Sequence, residues 1–150
     1  MIKIMFVCHG NICRSPMAEF LMKDLASKKG ESDKFFISSS ATSYEEIGNP
    51  VYPPVKKILN ELNINCNNKT ATKLTLADYD KYDYFIGMDE RNRQNMKRIF
   101  NGDKDNKVTC LLDYACGGEV ADPWYTGGFN QTYNDILKGL NAFYEFLKNK

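Results

Sequence analysis

Residues 2–25, "IKIMFVCHGNICRSPMAEFLMKDL", decide how the rest of the chain is read. Residues 2–7 are apolar at nearly every position, which suits a central strand buried on both faces. From residue 16 the pattern changes. Ser15 followed by Pro16 is a helix start, and Met17, Phe20, Leu21 and Leu25 then recur at helical spacing toward Lys29. Between strand and helix lies "CHGNICRS", Cys8 to Ser15, a short glycine-bearing loop with two cysteines and an arginine.

The same alternation continues. Apolar, partly β-branched runs at residues 35–39, 82–88 and 107–112 read as three further strands. Helical patterns fill residues 54–62 (Val55, Ile58, Leu59, Leu62), 89–100 and 130–148 (Tyr133, Ile136, Leu137, Leu140, Phe143), with one short helical turn at 74–78. Strands joined by helices of this length require crossover connections, hence a parallel sheet covered on both faces. In such sheets ligands bind beyond the carboxyl ends of the strands, and the loop after the first strand is the usual place. Residues 40–53 and 113–129 read as long irregular stretches.

With 150 residues, 43% of them hydrophobic and 26% charged, the chain reads as one domain able to bury its own core. A formal net charge of +1 provides no long-range field for nucleic acid or a membrane surface, so anion recognition must be local. Residues 2–7 are too short for a signal-peptide core or a membrane span. Five cysteines, an odd number in a domain that needs no staples, predict reduced thiols and a cytoplasmic location.

Cys8, His9 and Cys13 are soft ligands close together, but a structural zinc site needs four. His9 is the only histidine, and Cys66, Cys110 and Cys116 show no paired spacing, so no metal or other cofactor is expected. An anion cradle fits better. The loop from His9 through Gly10, Asn11, Ile12 and Cys13 to Arg14 aims backbone N–H groups and a helix N-terminus at one point, and Arg14 adds a planar fork for two phosphate oxygens. The lysine of a nucleotide P-loop is absent. Cys8 stands where these positive groups favour an anion, so a thiolate there is placed for in-line attack on phosphorus, with Ser15 able to hydrogen-bond the sulfur as it leaves.

Displacing a weakly acidic oxygen from phosphorus, such as a phenolate whose conjugate acid has a pKa of about 10, calls for a proton donor. "ADPWYTGGF" offers Asp122, fixed by the following proline in a glycine-bearing loop, although Asp-Pro is also an ordinary turn starter. Trp124 and Tyr125 read either as packing aromatics or as walls for an aryl group. Asp89, after the third strand, reads as a helix N-cap and not as catalytic.

"VCHGNICRSPMAE" resembles the signature of the low-molecular-weight protein tyrosine phosphatases, and "SSSATSYEEIGNP", "DYFIGMDERN" and "DPWYTGGF" match further family stretches in order, over almost the whole chain. The resemblance implies a three-layer α/β/α sandwich whose four-stranded parallel sheet has the order 2-1-3-4. It also implies Cys8 as nucleophile, Arg14 as phosphate clamp, Asp122 as general acid, and Asn11, Ser15 and Ser39 as loop supports. Ile12, Tyr44, Trp124 and Tyr125 become candidate pocket walls, and the partners are tyrosine-phosphorylated proteins bound by a monomer. Asn11 is either a plain turn former or a left-handed residue whose amide meets Ser39.

Three departures stand out. His9 replaces a commoner leucine or threonine and is either a solvent-facing rim residue or a modulator at the site's mouth. Glu45 falls where many relatives align an aromatic, with Tyr44 one residue earlier. Ile12 stands where related protein-arginine phosphatases have threonine, and its bulk favours an aryl phosphate. Cys13 is either a space filler or a redox partner that guards Cys8 through a reversible disulfide. Two rival readings remain: a thioredoxin-coupled arsenate reductase, disfavoured because "FIGMDERNRQN" lacks the relay cysteines, and a non-catalytic oxyanion-binding module, which needs neither nucleophile nor acid.

Overall fold

The computed structural model describes all 150 residues. Strands β1 (Ile2–Cys8), β2 (Phe35–Ala41), β3 (Tyr84–Gly87) and β4 (Val108–Cys110) form one parallel sheet in the order β2-β1-β3-β4. The helices are α1 (Arg14–Lys28), α2 (Pro53–Glu61), α3 (Glu90–Ile99), the single turn α4 (Pro123–Thr126) and α5 (Phe129–Lys148). No helix is long and apolar enough to cross a membrane.

Because successive side chains of a strand face opposite ways, β1 divides the core. Ile4, Phe6 and Cys8 join Met17 and Leu21 of α1 and Ile136, Leu140 and Phe143 of α5 on one face. Met5 and Val7 join Phe85, Met96 and Phe100 on the other. A strand flanked on both edges and both faces explains why residues 2–7 carry almost no polar side chain. It also holds Cys8, the last residue of β1, rigidly at the sheet's carboxyl edge.

Several boundaries move from the sequence reading for local reasons. The third and fourth strands are shorter than residues 82–88 and 107–112. At the end of β4 the Asp113 carboxylate accepts the Cys110 N–H (2.9 Å) and turns Leu111–Tyr114 into a 3-10 helix. The turn expected at 74–78 is a 3-10 helix over Leu76–Lys81, closed by reciprocal Thr75 and Asp78 hydrogen bonds. The stretch 113–129 contains α4, whose N-cap is Asp122 and whose first residue is Pro123. Residues 40–53 are pinned at two points, Ala41 pairing with Lys73 and Pro50 with Thr70.

Candidate active site

The loop between β1 and α1 curls around the Cys8 sulfur. Asn11 has φ = 60°, a left-handed conformation that asparagine tolerates better than most residues. That backbone turn lets the Asn11 N–H donate to Cys8 Sγ (3.3 Å). The Asn11 carboxamide is buried, and its orientation follows from its partners. Oδ1 accepts the Thr72 N–H (3.1 Å), so Nδ2 faces Ser15 Oγ (2.7 Å) and Ser39 Oγ (2.9 Å).

Proton directions follow in turn. Ser39 accepts from Asn11 and donates to Glu19 Oε1 (2.6 Å). Ser15 accepts from Asn11, which leaves its own proton for Cys8 Sγ at 3.0 Å. The sulfur therefore accepts from both a backbone N–H and a hydroxyl, the pattern that suits an anionic sulfur. Glu19, 5% exposed inside α1, is tied to Lys23 (2.6 Å), while Lys69 donates to the Ser39 carbonyl (2.8 Å). Burial lowers the pKa of the Lys69 ammonium, with Glu19 opposing.

Arg14 is 4% exposed, and its guanidinium is held from the far side of the sheet edge. Nη1 donates to Asp89 Oδ2 (2.9 Å) and the Val120 carbonyl (3.2 Å), and Nη2 to Asp122 Oδ2 (3.4 Å). Burial alone would loosen the Arg14 proton, but the Cys8 sulfur, Asp89 and Asp122 outweigh it and raise its pKa. Asp89 is the expected N-cap, accepting the Asn92 N–H on Oδ1 (2.8 Å). Its other oxygen orients Arg14, a role that the sequence reading did not give it.

These groups open into a cavity of about 910 Å³, lined among others by Cys8, Gly10, Ile12, Cys13, Arg14, Asp122, Trp124 and Tyr125. Trp124 is braced edge-on against Tyr52 (ring centroids 5.0 Å), which itself stacks on Phe129. Tyr125 is largely exposed. Tyr44 does not line the cavity: its ring lies under Lys73 Nζ (4.8 Å), and Glu45 and Glu46 occupy that rim instead. The expected Tyr44 wall is thus absent because the side chain turns outward onto the lysine. His9 sits at the same rim, its Nε2 2.7 Å from Glu45 Oε2.

Cys13 is buried beside Cys8. Burial first, then the nearby Cys8 and Asp122, push its thiol up to about 12. Cys110, further away, is also pushed up to about 12 by burial, and its Sγ lies 3.3 Å from the Asp89 carbonyl.

Sequence reasoning missed Glu19, Lys69, Thr72 and the second role of Asp89. Glu19 carried a signal, an acid among apolar neighbours in the first turns of α1. For Lys69 and Thr72 nothing local distinguishes them within "NKTATK".

Fold and site together define an α/β protein with an oxyanion cradle wrapped around a buried thiol at the end of its central strand. The chain belongs to the low molecular weight phosphotyrosine protein phosphatase family, whose model matches residues 3–150. It is 37% identical over 142 residues to the low molecular weight protein-tyrosine-phosphatase YfkJ of Bacillus subtilis, covering 93% of this chain and 91% of the relative. The YfkJ crystal structure superposes with a TM-score of 0.94, covering 99% of this chain and 96% of that one, at 34% identity. The low molecular weight protein tyrosine phosphatase SP-PTP of Streptococcus pyogenes does so with a TM-score of 0.89, at 41% identity and with 98% and 93% covered.

Proposed function

We propose that the protein hydrolyses phosphotyrosine in proteins, and aryl phosphates generally, through a phosphocysteine on Cys8. The observation that carries this reading is the Cys8 sulfur accepting two hydrogen bonds at the floor of a cavity that also holds Arg14 and Asp122. Phosphate oxygens occupy the loop amides and the Arg14 fork, which spreads the developing charge. A dianionic phosphate competes with Asp122 for Arg14, and the long 3.4 Å contact between them is the weakest of Arg14's three.

In the first step the thiolate forms an S–P bond as the P–O bond to the ring breaks, and the protonated Asp122 carboxyl gives its proton to the departing phenolate oxygen. In the second, Asp122 takes a proton from water as the water oxygen bonds to phosphorus. The S–P bond breaks, and the Ser15 hydroxyl receives the returning thiolate. Ile12 and Trp124 flank the aryl ring. Transfer through a cysteine relay has no support here: Cys110 is buried, protonated and turned toward the Asp89 carbonyl.

The test is kinetic. Cys8→Ser is expected to abolish turnover, and Asp122→Ala to slow phosphotyrosine by about 10²–10³-fold but p-nitrophenyl phosphate, whose leaving group needs less help, by much less. Hydrolysis that survives in Cys8→Ser, or equal losses on both substrates in Asp122→Ala, would overturn the respective role.

A further inference from the structure

A second concavity of about 750 Å³ opens beside the catalytic cavity and shares Ile12, Glu46 and Trp124 with it. Its floor is apolar, formed by Pro50, Val51 and Tyr52 between Ile12 and Trp124. One wall is a single face of α2: Pro53, Lys56, Lys57 and Asn60 follow the i, i+3, i+4, i+7 pattern and all line it. The volume is in the range that accommodates several side chains of a bound ligand. Trp124, 60% exposed at the junction, gives a ligand entering from the catalytic side an aromatic surface to cross.

The charges of this groove are unspent. Neither Lys56 nor Lys57 has a carboxylate within 4.0 Å. Glu46, at the near end, is engaged by Asn49 Nδ2 (3.2 Å), and Glu61 lies one turn beyond Lys57 at the far end. The middle of the groove therefore presents two free ammonium groups above an apolar floor.

We infer that this groove binds the substrate polypeptide next to its phosphotyrosine, taking an apolar side chain on the Tyr52 and Trp124 floor and an acidic one against Lys56 and Lys57. The inference rests on the phosphotyrosine reading of the Cys8 site, because continuity between the two cavities is what identifies the occupant. Lys56 and Lys57 are specificity determinants that never touch phosphate. A small aryl phosphate fills the Cys8 cavity alone and does not sense them.

The experiment compares kcat/KM, at low ionic strength, for p-nitrophenyl phosphate and three phosphotyrosyl peptide sets. The sets have alanine flanks, an apolar-then-glutamate segment or an apolar-then-lysine segment, scanned along both sides. In the wild type one register of the glutamate set should exceed the alanine set by about tenfold. Lys56→Glu/Lys57→Glu should erase that preference and transfer it to the lysine set, while p-nitrophenyl phosphate turnover stays unchanged. Peptide rates indifferent to the charge reversal, with p-nitrophenyl phosphate still hydrolysed, would overturn the groove alone. A reversal that altered only self-association, seen by sedimentation, would assign the groove to a second copy and also overturn it. Failure of the wild type to turn over any aryl phosphate would instead sink the reading of the Cys8 site, and this inference with it.

Discussion

Cys13 illustrates how environment, more than identity, sets a cysteine's chemistry. Cys8 and Cys13 share one loop, yet Cys8 accepts hydrogen bonds from a backbone amide and a hydroxyl while burial keeps Cys13 a thiol, pushed up to about 12. Peroxide should therefore oxidise Cys8 first, its sulfur taking one peroxide oxygen to give a sulfenic acid as water leaves. A guarding disulfide then forms when the Cys13 sulfur attacks that sulfenic sulfur and water leaves. The attacking species is the thiolate, so the step should be slow at neutral pH and accelerate steeply between pH 7 and 9. Once Cys8 is a neutral sulfenic acid its push on Cys13 disappears, which helps the reaction without removing the cost of burial. Mass mapping after a brief peroxide pulse at several pH values checks this. A Cys8 to Cys13 disulfide whose rate is flat with pH would contradict the protonated thiol, and none at any pH would leave Cys13 as a packing residue.

At the scale of elements, glycine marks where two of them must touch. Gly139 lies inside α5, and a Cβ there would come within 2.5 Å of Leu111 Cγ and 3.0 Å of its Cδ2. Leu111 is fully buried, so it has no room to withdraw. Alanine at 139 gains about 1 kcal/mol of helix propensity but forces the 3-10 turn after β4 away from α5, an overpacking cost of about 1–3 kcal/mol. The clash should win, and Gly139→Ala should lower the urea midpoint; a raised midpoint would mean that this interface is soft. The sequence shows that α5 exists, through Ile136, Leu140 and Phe143 at helical spacing, but not which partner Gly139 meets. The same limit applies throughout. The strand-loop-helix of residues 2–25 was legible because period, proline and glycine are local signals. Asp89 holding Arg14 spans 75 residues, and Thr72 closing on Asn11 spans 61, so neither leaves a local trace. Tyr44 was misplaced for a related reason: its contact with Lys73 depends on a bridge between Ala41 and Lys73 that no spacing announces.

Across the whole molecule, a near-neutral formal charge of +1 leaves no strong global field, so the dependence of stability on pH is set by individual buried groups. On the alkaline side these are thiols. Burial leads the causes that hold Cys13 and Cys110 protonated in the fold up to about 12, whereas an unfolded cysteine loses its proton near 9. Between those values the unfolded chain has released protons that the native state retains, so unfolding becomes more favourable with rising pH. Each such group contributes about 1.4 kcal/mol of lost stability per pH unit in that window. The buried tyrosine Tyr144, raised by burial and its bond to Glu31, acts in the same direction, and Lys69, lowered by burial, acts against it. The thiols should dominate between pH 8 and 10, where Cys13 and Cys110 together cost about 3 kcal/mol; above pH 10 Tyr79, Tyr114 and Tyr144, all raised chiefly by burial, add to the loss. Cys110→Ala separates this from general alkaline damage. It loses the Sγ contact with the Asp89 carbonyl at every pH, so it should be less stable than wild type at pH 8, yet lose stability more slowly from pH 9 to 10.5, by about one proton's slope. Urea midpoints across that range measure both effects, and parallel curves for the two proteins would show that Cys110 does not carry the proton assigned to it.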